Sequence, residues 1–181
     1  GLAHLPLRIS GRIAGGICIV GLAEDLADTE EQQLLGNLAE NLSHALESRE
    51  QDRARQIAER KLELASHVFE NSAEGVMITD RDNKILMVNR RFSEITGYSA
   101  DEVAGNTPGI LNSGQQDKAF YSNMWRSLTN RGEWHGEIRN RRKDGEVIVE
   151  WMNISAVKND VGEIVNYVAV FSEITVHKTI K

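Results

Sequence analysis

Cysteine is almost missing from this chain of 181 residues: Cys18 stands alone, which excludes an internal disulfide and a thiolate metal cluster and fits a reducing, cytoplasmic setting. Long apolar runs are missing too. The greasiest stretch, IAGGICIVGLA at 13–23, is interrupted by glycine and falls far short of the roughly 18 residues that cross a bilayer, so no membrane contact is expected. Positive charge is in deficit. The 21 Lys and Arg against 27 Asp and Glu leave a net charge of −6, which repels phosphate backbones and argues against a nucleic-acid partner. Catalytic signatures are absent as well: there is no G-x-G-x-x-G, no P-loop and no H-E-x-x-H, and neighbouring carboxylates fall on turns and helix starts. Neither an enzyme active site nor a metal site is expected. The chain opens in GLAHLPLRIS, with no starting methionine or leader-like segment, as an internal piece of a multidomain protein does.

What is present supports a core. With 40% hydrophobic residues the chain can build one domain of ordinary size with something attached. Residues 5–23 read as two strands, LPLRIS and RIAGGICIVGLA, joined at Ser10-Gly11, and a lone pair of strands is marginal without further partners. From Thr29 to Phe69 there is no proline, and only Gly36 interrupts good helix formers. Asp28 or Thr29 can cap the start, and Glu30 and Glu31 suit the positive end of the dipole. One long helix, or two nearly continuous ones, is expected; about 40 residues reach roughly 60 Å.

Leu35, Leu38, Leu42, Ala45 and Leu46 form one apolar stripe on this helix, and Ala54, Ile57, Leu64 and Val68 form a second, offset by the polar ESREQDR. A narrow, slipped stripe suits a coiled-coil seam with a stutter. The expected contact is therefore a parallel homodimer through Leu38, Leu42, Leu46, Ile57, Leu64 and Val68. A connector that packs on its own domain is the alternative. The histidine of LSHALE, His44, lacks the acidic residue and downstream proline of a phosphoacceptor box and reads as a surface or seam residue.

Residues 66–176 alternate strands and short helices as an α+β domain does. GVMITD and KILMVN are strands joined by RDN; RRFSEITGY and DEVAG are short helices; QQDKAFYSNMWRSLTNRG is a longer one closed by Gly132. EWHGEIRN, EVIVEWMNISAV and EIVNYVAVFSEIT follow as three strands with turns at Asp144-Gly145 and Asp160 to Gly162, an antiparallel meander. The basic cluster Arg141, Arg142 and Lys143 then lies at a hairpin tip, where it is expected to stay solvated, with Asp-Gly supplying the positive φ angles. It lacks the wide basic face and stacking aromatics of nucleic-acid binding. In the last strand Tyr167, Ala169 and Phe171 face one way and Val168, Val170 and Ile174 the other, so both faces of the sheet need cover.

From FENSAEGVMITD to FSEIT the chain resembles a PAS domain. The resemblance is carried by N-R-R-F-x-x-I-T-G-Y, by the M-W of the long helix, by G-x-W-x-G-E-I-x-N-R-R-K-x-G-E, and by a closing E-I-T where the family usually shows D-I-T. It is most similar to the bacterial PAS domains that precede diguanylate cyclase and cyclic-di-GMP phosphodiesterase domains. Residues 1–47 resemble, more weakly, the C-terminal part of a GAF domain. The organisation implied is a GAF-like end at 1–47, a helical coiled-coil linker at 48–65, the PAS domain at 66–176 and the start of an output linker at 177–181.

The fold implied is a five-stranded antiparallel sheet with flanking helices enclosing a small cavity. That cavity is assigned to Met77, Phe92, Ile95, Ile110, Leu111, Trp125, Ile138, Asn140, Met152 and Ile154. The function implied is sensing of a small ligand or cofactor, with transmission to a fused output domain, by expectation one of cyclic-di-GMP turnover. The alternatives are a ligand-free dimerisation module and the sensor region of a histidine kinase. Haem-binding relatives use a histidine on the long helix, which here has none. Light-sensing flavin relatives need a cysteine beside the ring, and Cys18 is outside the domain. Redox-type flavin relatives keep a Trp and an Asn at the positions of Trp125 and Asn140, so flavin, a small organic ligand or an empty cavity stay open. For both residues a structural role is the alternative: Trp125 as core packing, and Asn140 satisfying backbone groups near the hairpin. Asn112, Ser113, Asn140 and Asn153 could supply convergent hydrogen bonds. Glu173, Ile174 and Thr175 are the expected signal-transfer residues. In the family the acid of D-I-T accepts a bond from within the domain and the threonine bonds to the outgoing helix; the extra methylene of Glu173 can re-aim the first.

Overall fold

The computed structural model describes residues 2–20 and 29–174. Two units follow one another, divided between Leu64 and Ala65. In the first, strands β1 (Leu2–Ile9) and β2 (Arg12–Val20) pair antiparallel, and Ser10 (φ 48) and Gly11 (φ 76) both take left-handed backbone, the geometry of a two-residue hairpin loop. Helix α1 runs unbroken from Thr29 to Glu70, through Gly36. The proposed caps Asp28 and Thr29 lie outside the residues whose side chains are described.

Support for the hairpin comes from α1 itself. The backbone N–H of Arg8 donates to Ser43 Oγ (3.0 Å) and that of Ser10 to Glu47 Oε1 (2.7 Å). Leu35, Ala39, Ser43 and Glu47, four apart, therefore form the covered line of the helix. This splits the expected stripe. Leu35 is half-buried with that line, whereas Leu38, Leu42 and Leu46 stay exposed beside it, as do Ile57, Leu64 and Val68 further along.

The second unit contains β3 (Gly75–Asp80), β4 (Ile85–Val88), α2 (Arg90–Thr96), α3 (Ala100–Val103), a 3-10 turn (Pro108–Leu111), α4 (Lys118–Arg131), β5 (Glu133–Arg141), β6 (Val147–Lys158) and β7 (Ile164–Glu173). The sheet order is β4-β3-β7-β6-β5, antiparallel throughout, so the meander of the last three strands is completed by β3 pairing with β7. This is the five-stranded α+β architecture the resemblance implied. No helix among the described residues is long and apolar enough to cross a membrane.

Alternation decides the faces. Ile148, Glu150, Met152 and Ile154 of β6 point to the helical side, while Trp151 and Asn153 are exposed on the other. Phe92 of α2 meets Phe171 of β7 edge-on at 5.8 Å, both fully buried, with Ile85, Val103 and Leu111 around them. Gly75 sits under this ring. A Cβ there would lie 2.6 Å from Phe171, closer than packing allows. On the outer face Val168 and Val170 are half-buried.

Both meander turns have one positive φ, not two. Gly145 (φ 95) donates its N–H to Arg142 O and Gly162 (φ 86) to Asn159 O, each a tight turn followed by a left-handed glycine. In the basic tip Arg141 and Lys143 are exposed, as expected from their charge, but the tip is also docked on the domain and Arg142 is half-buried. Lys143 donates its backbone N–H to Thr96 O (2.9 Å) and its Nζ to Glu102, and the Arg142 side chain is only 22% exposed. The Thr96 carbonyl is open to Lys143 because the last carbonyls of α2 lack partners within the helix, whereas Glu102 accepts with its side-chain carboxylate.

Asn89 ties the unit together. Its buried Oδ1 accepts from the backbone N–H groups of Val76 (2.8 Å) and Phe92 (2.9 Å), while Nδ2 donates to Phe69 O and Glu74 O (both 3.0 Å). The side chain thus caps α2, opens β3 and holds the end of α1. Asn89→Ala strands these backbone groups without partners and is expected to cost about 3–5 kcal/mol. Asn89→Asp keeps the Oδ1 acceptor but sets a carboxylate oxygen against the carbonyls of Phe69 and Glu74, so it should be destabilised at least as much as the Ala variant when ionised. Urea unfolding of the three proteins measures the order; an Ala variant as stable as wild type contradicts it.

A candidate ligand cavity

Helix α4 places four side chains on one face. Tyr121, Met124, Trp125 and Leu128 recur at helical spacing, and Asp117, accepting from Phe120 N (2.8 Å), and Gly132 (φ 81) fix where the helix begins and ends. Opposite them the inner face of the sheet contributes Met77 and Thr79 of β3, Tyr167 and Ala169 of β7, Met152 and Ile154 of β6, and Ile138 and Asn140 of β5. Asn83 and the stretch Thr107 to Asn112, without Ile110, close the rim. Between them lies a cavity of about 320 Å³, at the lower end of the range for small-molecule sites.

Of the residues assigned from sequence, Met77, Leu111, Trp125, Ile138, Asn140, Met152 and Ile154 line this space. Phe92, Ile95 and Ile110 do not. Phe92 and Ile95 face the Phe171 core instead, and Ile110 packs against that core from the 3-10 turn. Trp125 is not a closed core residue: it is half-buried, meeting Tyr167 edge-on at 5.3 Å on the cavity wall. Tyr121, Met124 and Leu128 were legible in principle, because they share the i, i+3, i+4, i+7 face with Trp125.

The polar groups converge less than expected. Asn153 is exposed on the outer face, and half-buried Ser113 donates to Arg139 O and is not among the cavity-lining residues. Asn112 Oδ1 accepts from Gly114 N (2.7 Å) and Tyr121 Oη (3.3 Å), and its backbone bridges to Asn140. Burial pushes the Tyr121 hydroxyl pKa upward. Asn140 does not satisfy backbone groups near the hairpin. Its Nδ2 donates to Glu150 Oε2 at 2.7 Å, a charge-assisted bond inside the domain.

Glu150 is the residue the motif reading missed. It has no exposed surface, and its Oε1 has no hydrogen-bond partner. Period-two alternation with Ile148 and Met152 already places it inside, which was the available signal. Burial pushes its carboxyl up to about 7, opposed by the Asn140 bond, raised further by the charge of Glu173 and lowered by that of Arg142. Glu173 stands opposite Glu150 in the β6–β7 register and accepts from Arg142 Nη2 at 2.8 Å. Ile174 donates its N–H to Val149 O (2.8 Å); Thr175 lies outside the described residues.

A buried carboxyl of this kind gives stability a pH dependence with a definite sign. The folded-state value of about 7 lies above the ordinary 4.5, so the contribution is fully present below the ordinary value and is lost as pH rises through about 7. The loss amounts to about 3 kcal/mol at most. Glu102, held down to about 2 chiefly by its hydrogen bond with Lys143, acts in the opposite sense and only in acid. Glu150→Gln should be more stable than wild type at pH 8 and should flatten the slope between pH 5 and 8; denaturant titrations across this window read it, and an unchanged slope contradicts it.

Comparison with known proteins gives this arrangement its family. The family described as the PAS domain matches residues 73–176, more than half of the chain. A nitrogen fixation regulatory protein of Klebsiella oxytoca is 31% identical over 114 residues, covering 63% of this chain and 23% of that protein. A blue-light-activated histidine kinase of Rhizobium johnstonii is 29% identical over 127 residues, covering 68% of this chain and 36% of the kinase. The chain thus matches only about a quarter to a third of these relatives' length. Among solved structures, the PAS domain of a protein from Colwellia psychrerythraea superposes with a TM-score of 0.59 at 22% identity, covering 63% of this chain and 97% of that one. With its sheet order, its helix-walled cavity and the matched span, the chain belongs to the PAS domain family.

Proposed function

We propose that this segment is a sensor: its PAS domain, placed at 66–176, binds a small planar or amphipathic molecule in the cavity, and flanking helices pass the change to an output domain. The observation that carries this is the cavity itself, lined mainly by apolar side chains of α4 and the sheet, with Asn140, Asn112 and Tyr121 among its few polar groups. Such a wall suits a neutral ring system with one hydrogen-bonding edge. A flavin is one candidate, with Trp125 and Asn140 against it. Cysteinyl-adduct photochemistry is not proposed, because Cys18 lies on β2. The rival reading, a dimerisation module with no ligand, draws on the half-buried outer sheet face.

The remaining expectations stand as parts of this proposal. Residues 1–47 are taken as the end of a GAF-like domain and 48–65 as a coiled-coil linker in a cytoplasmic homodimer. Glu173, Ile174 and Thr175 are taken as the exit of the signal. For the output, cyclic-di-GMP turnover rests on motif resemblance alone, whereas a relative that is a histidine kinase favours a kinase-type output.

An absorption spectrum of the purified protein, followed by mass spectrometry of its denatured extract, tests the ligand directly. Trp125→Ala separates packing from binding. With the ring only half-buried, the variant should lose about 1–2 kcal/mol when ligand-free, less than a closed core tryptophan, while ligand retention falls sharply. Full core-type destabilisation with unchanged retention would return the residue to a packing role.

Leu42 and Leu46, exposed beside the hairpin-covered line of α1, are expected to pair with a second copy. Changing both to Glu places charges in the seam and should yield monomers by light scattering. A wild-type protein that is monomeric at high concentration sinks the dimer.

A further inference from the structure

Asn140 lines the cavity, yet its amide is polarised from behind. Nδ2 points to Glu150 Oε2 at 2.7 Å, and Oδ1 meets no protein donor among the described residues. An ionised carboxylate can only accept, so only an amide N–H can face it, and the amide is held against turning over. We propose that Glu150 is a specificity-determining positioning residue: by fixing the Asn140 amide it presents Oδ1 to the cavity, so that the site selects a ligand edge that donates a hydrogen bond, a ring or amide N–H or a hydroxyl, over an isosteric edge that only accepts. This rests on the ligand-binding reading of the cavity.

The geometry also makes the selection reversible. A protonated carboxyl has an O–H to donate; it can bond Asn140 Oδ1 instead, and the amide then turns Nδ2 to the cavity. Glu150 is poised for this because it has no exposed surface and its Oε1 has no partner, which makes the charged form costly. The carboxyl, raised to about 7 by burial, titrates near neutrality. Charged groups face it from two other elements: Glu173 of β7, opposite in register, and Arg142 of the β5–β6 turn. Arg142 bonds Glu173 (2.8 Å) and lies beside Glu146 (3.2 Å). Neutralising Glu150 removes one of the three carboxylates acting on Arg142, the others being Glu146 and Glu173, so the ligand corner and Glu173 share one electrostatic unit.

Indole and benzofuran test this. They have the same shape and stay neutral, and differ only in N–H against ring oxygen. Ligand-detected NMR titrations of the whole chain with each probe should show indole preferred by about tenfold or more at alkaline pH, because a site built to accept rejects the analogue that cannot donate. The preference should shrink as Glu150 protonates in mild acid, and in Glu150→Gln it should be small and independent of pH. In ¹⁵N-labelled protein without ligand, the Asn140 side-chain amide should be exchange-protected at high pH and lose protection in acid and in the variant. A wild-type preference constant across the titration overturns the proposal, as does an unchanged pH dependence in Glu150→Gln. If neither probe binds while the Asn140 amide still titrates with Glu150, the ligand reading of the cavity fails and takes the selectivity with it. If both probes bind equally while the amide titrates, only the selectivity fails.

Discussion

One buried amide organises the domain. Asn89 has two donors and two acceptor lone pairs, and in its nearly unexposed position all are used on backbone groups of the α1 end, the β3 start and the α2 first turn. Those three segments meet where the entering helix joins the sheet. No apolar side chain could do this, because the carbonyls of Phe69 and Glu74 and the N–H groups of Val76 and Phe92 would be buried without partners. With α2 anchored there, Phe92 is carried onto Phe171, and Gly75 leaves room for the ring. The core is then closed at this end of the sheet. The cavity is left at the other side, under α4.

A second polar connection runs along the opposite strands. Asn140 at the cavity wall bonds Glu150; Glu150 stands opposite Glu173; Glu173 holds Arg142, whose backbone turns the β5–β6 hairpin. The hairpin tip is docked in turn on α2 through Lys143 and Thr96, and on Glu102 of α3. A change of charge or hydrogen bonding at the cavity corner therefore has polar neighbours leading to the last residues of β7. Networks of this kind are costly when half-satisfied, and Glu150 Oε1 is such an unsatisfied group.

Much of this was legible beforehand, for identifiable reasons. The strands of the meander announce themselves by alternation, and the helices by the glycines that end them, such as Gly97 and Gly132, which take left-handed backbone. The cavity-lining Met77, Ile138, Met152 and Ile154 follow from strand parity. Phe92 and Ile95 were misassigned because parity and apolarity say that a side chain is inside, not which part of the interior it faces. Asn153 was misassigned for the opposite reason: its polarity drew attention, though its parity places it with Trp151 outside.

The amino-acid sequence alone determined the local events, because these depend on neighbours within a few residues: where strands alternate, where helices start and stop, and which side chains share a face. Tertiary structure decided what depends on residues far apart in the chain. Only the pairing of β3 with β7 and the packing of α4 across the sheet divide the interior into a closed Phe92–Phe171 core and an open cavity. Only the β5–β6–β7 register sets Asn140, Glu150 and Glu173 side by side, and with them the burial that raises the Glu150 pKa. A carboxylate in a strand is ordinary in sequence; desolvation, a property of everything packed around it, makes it a titrating group near neutrality.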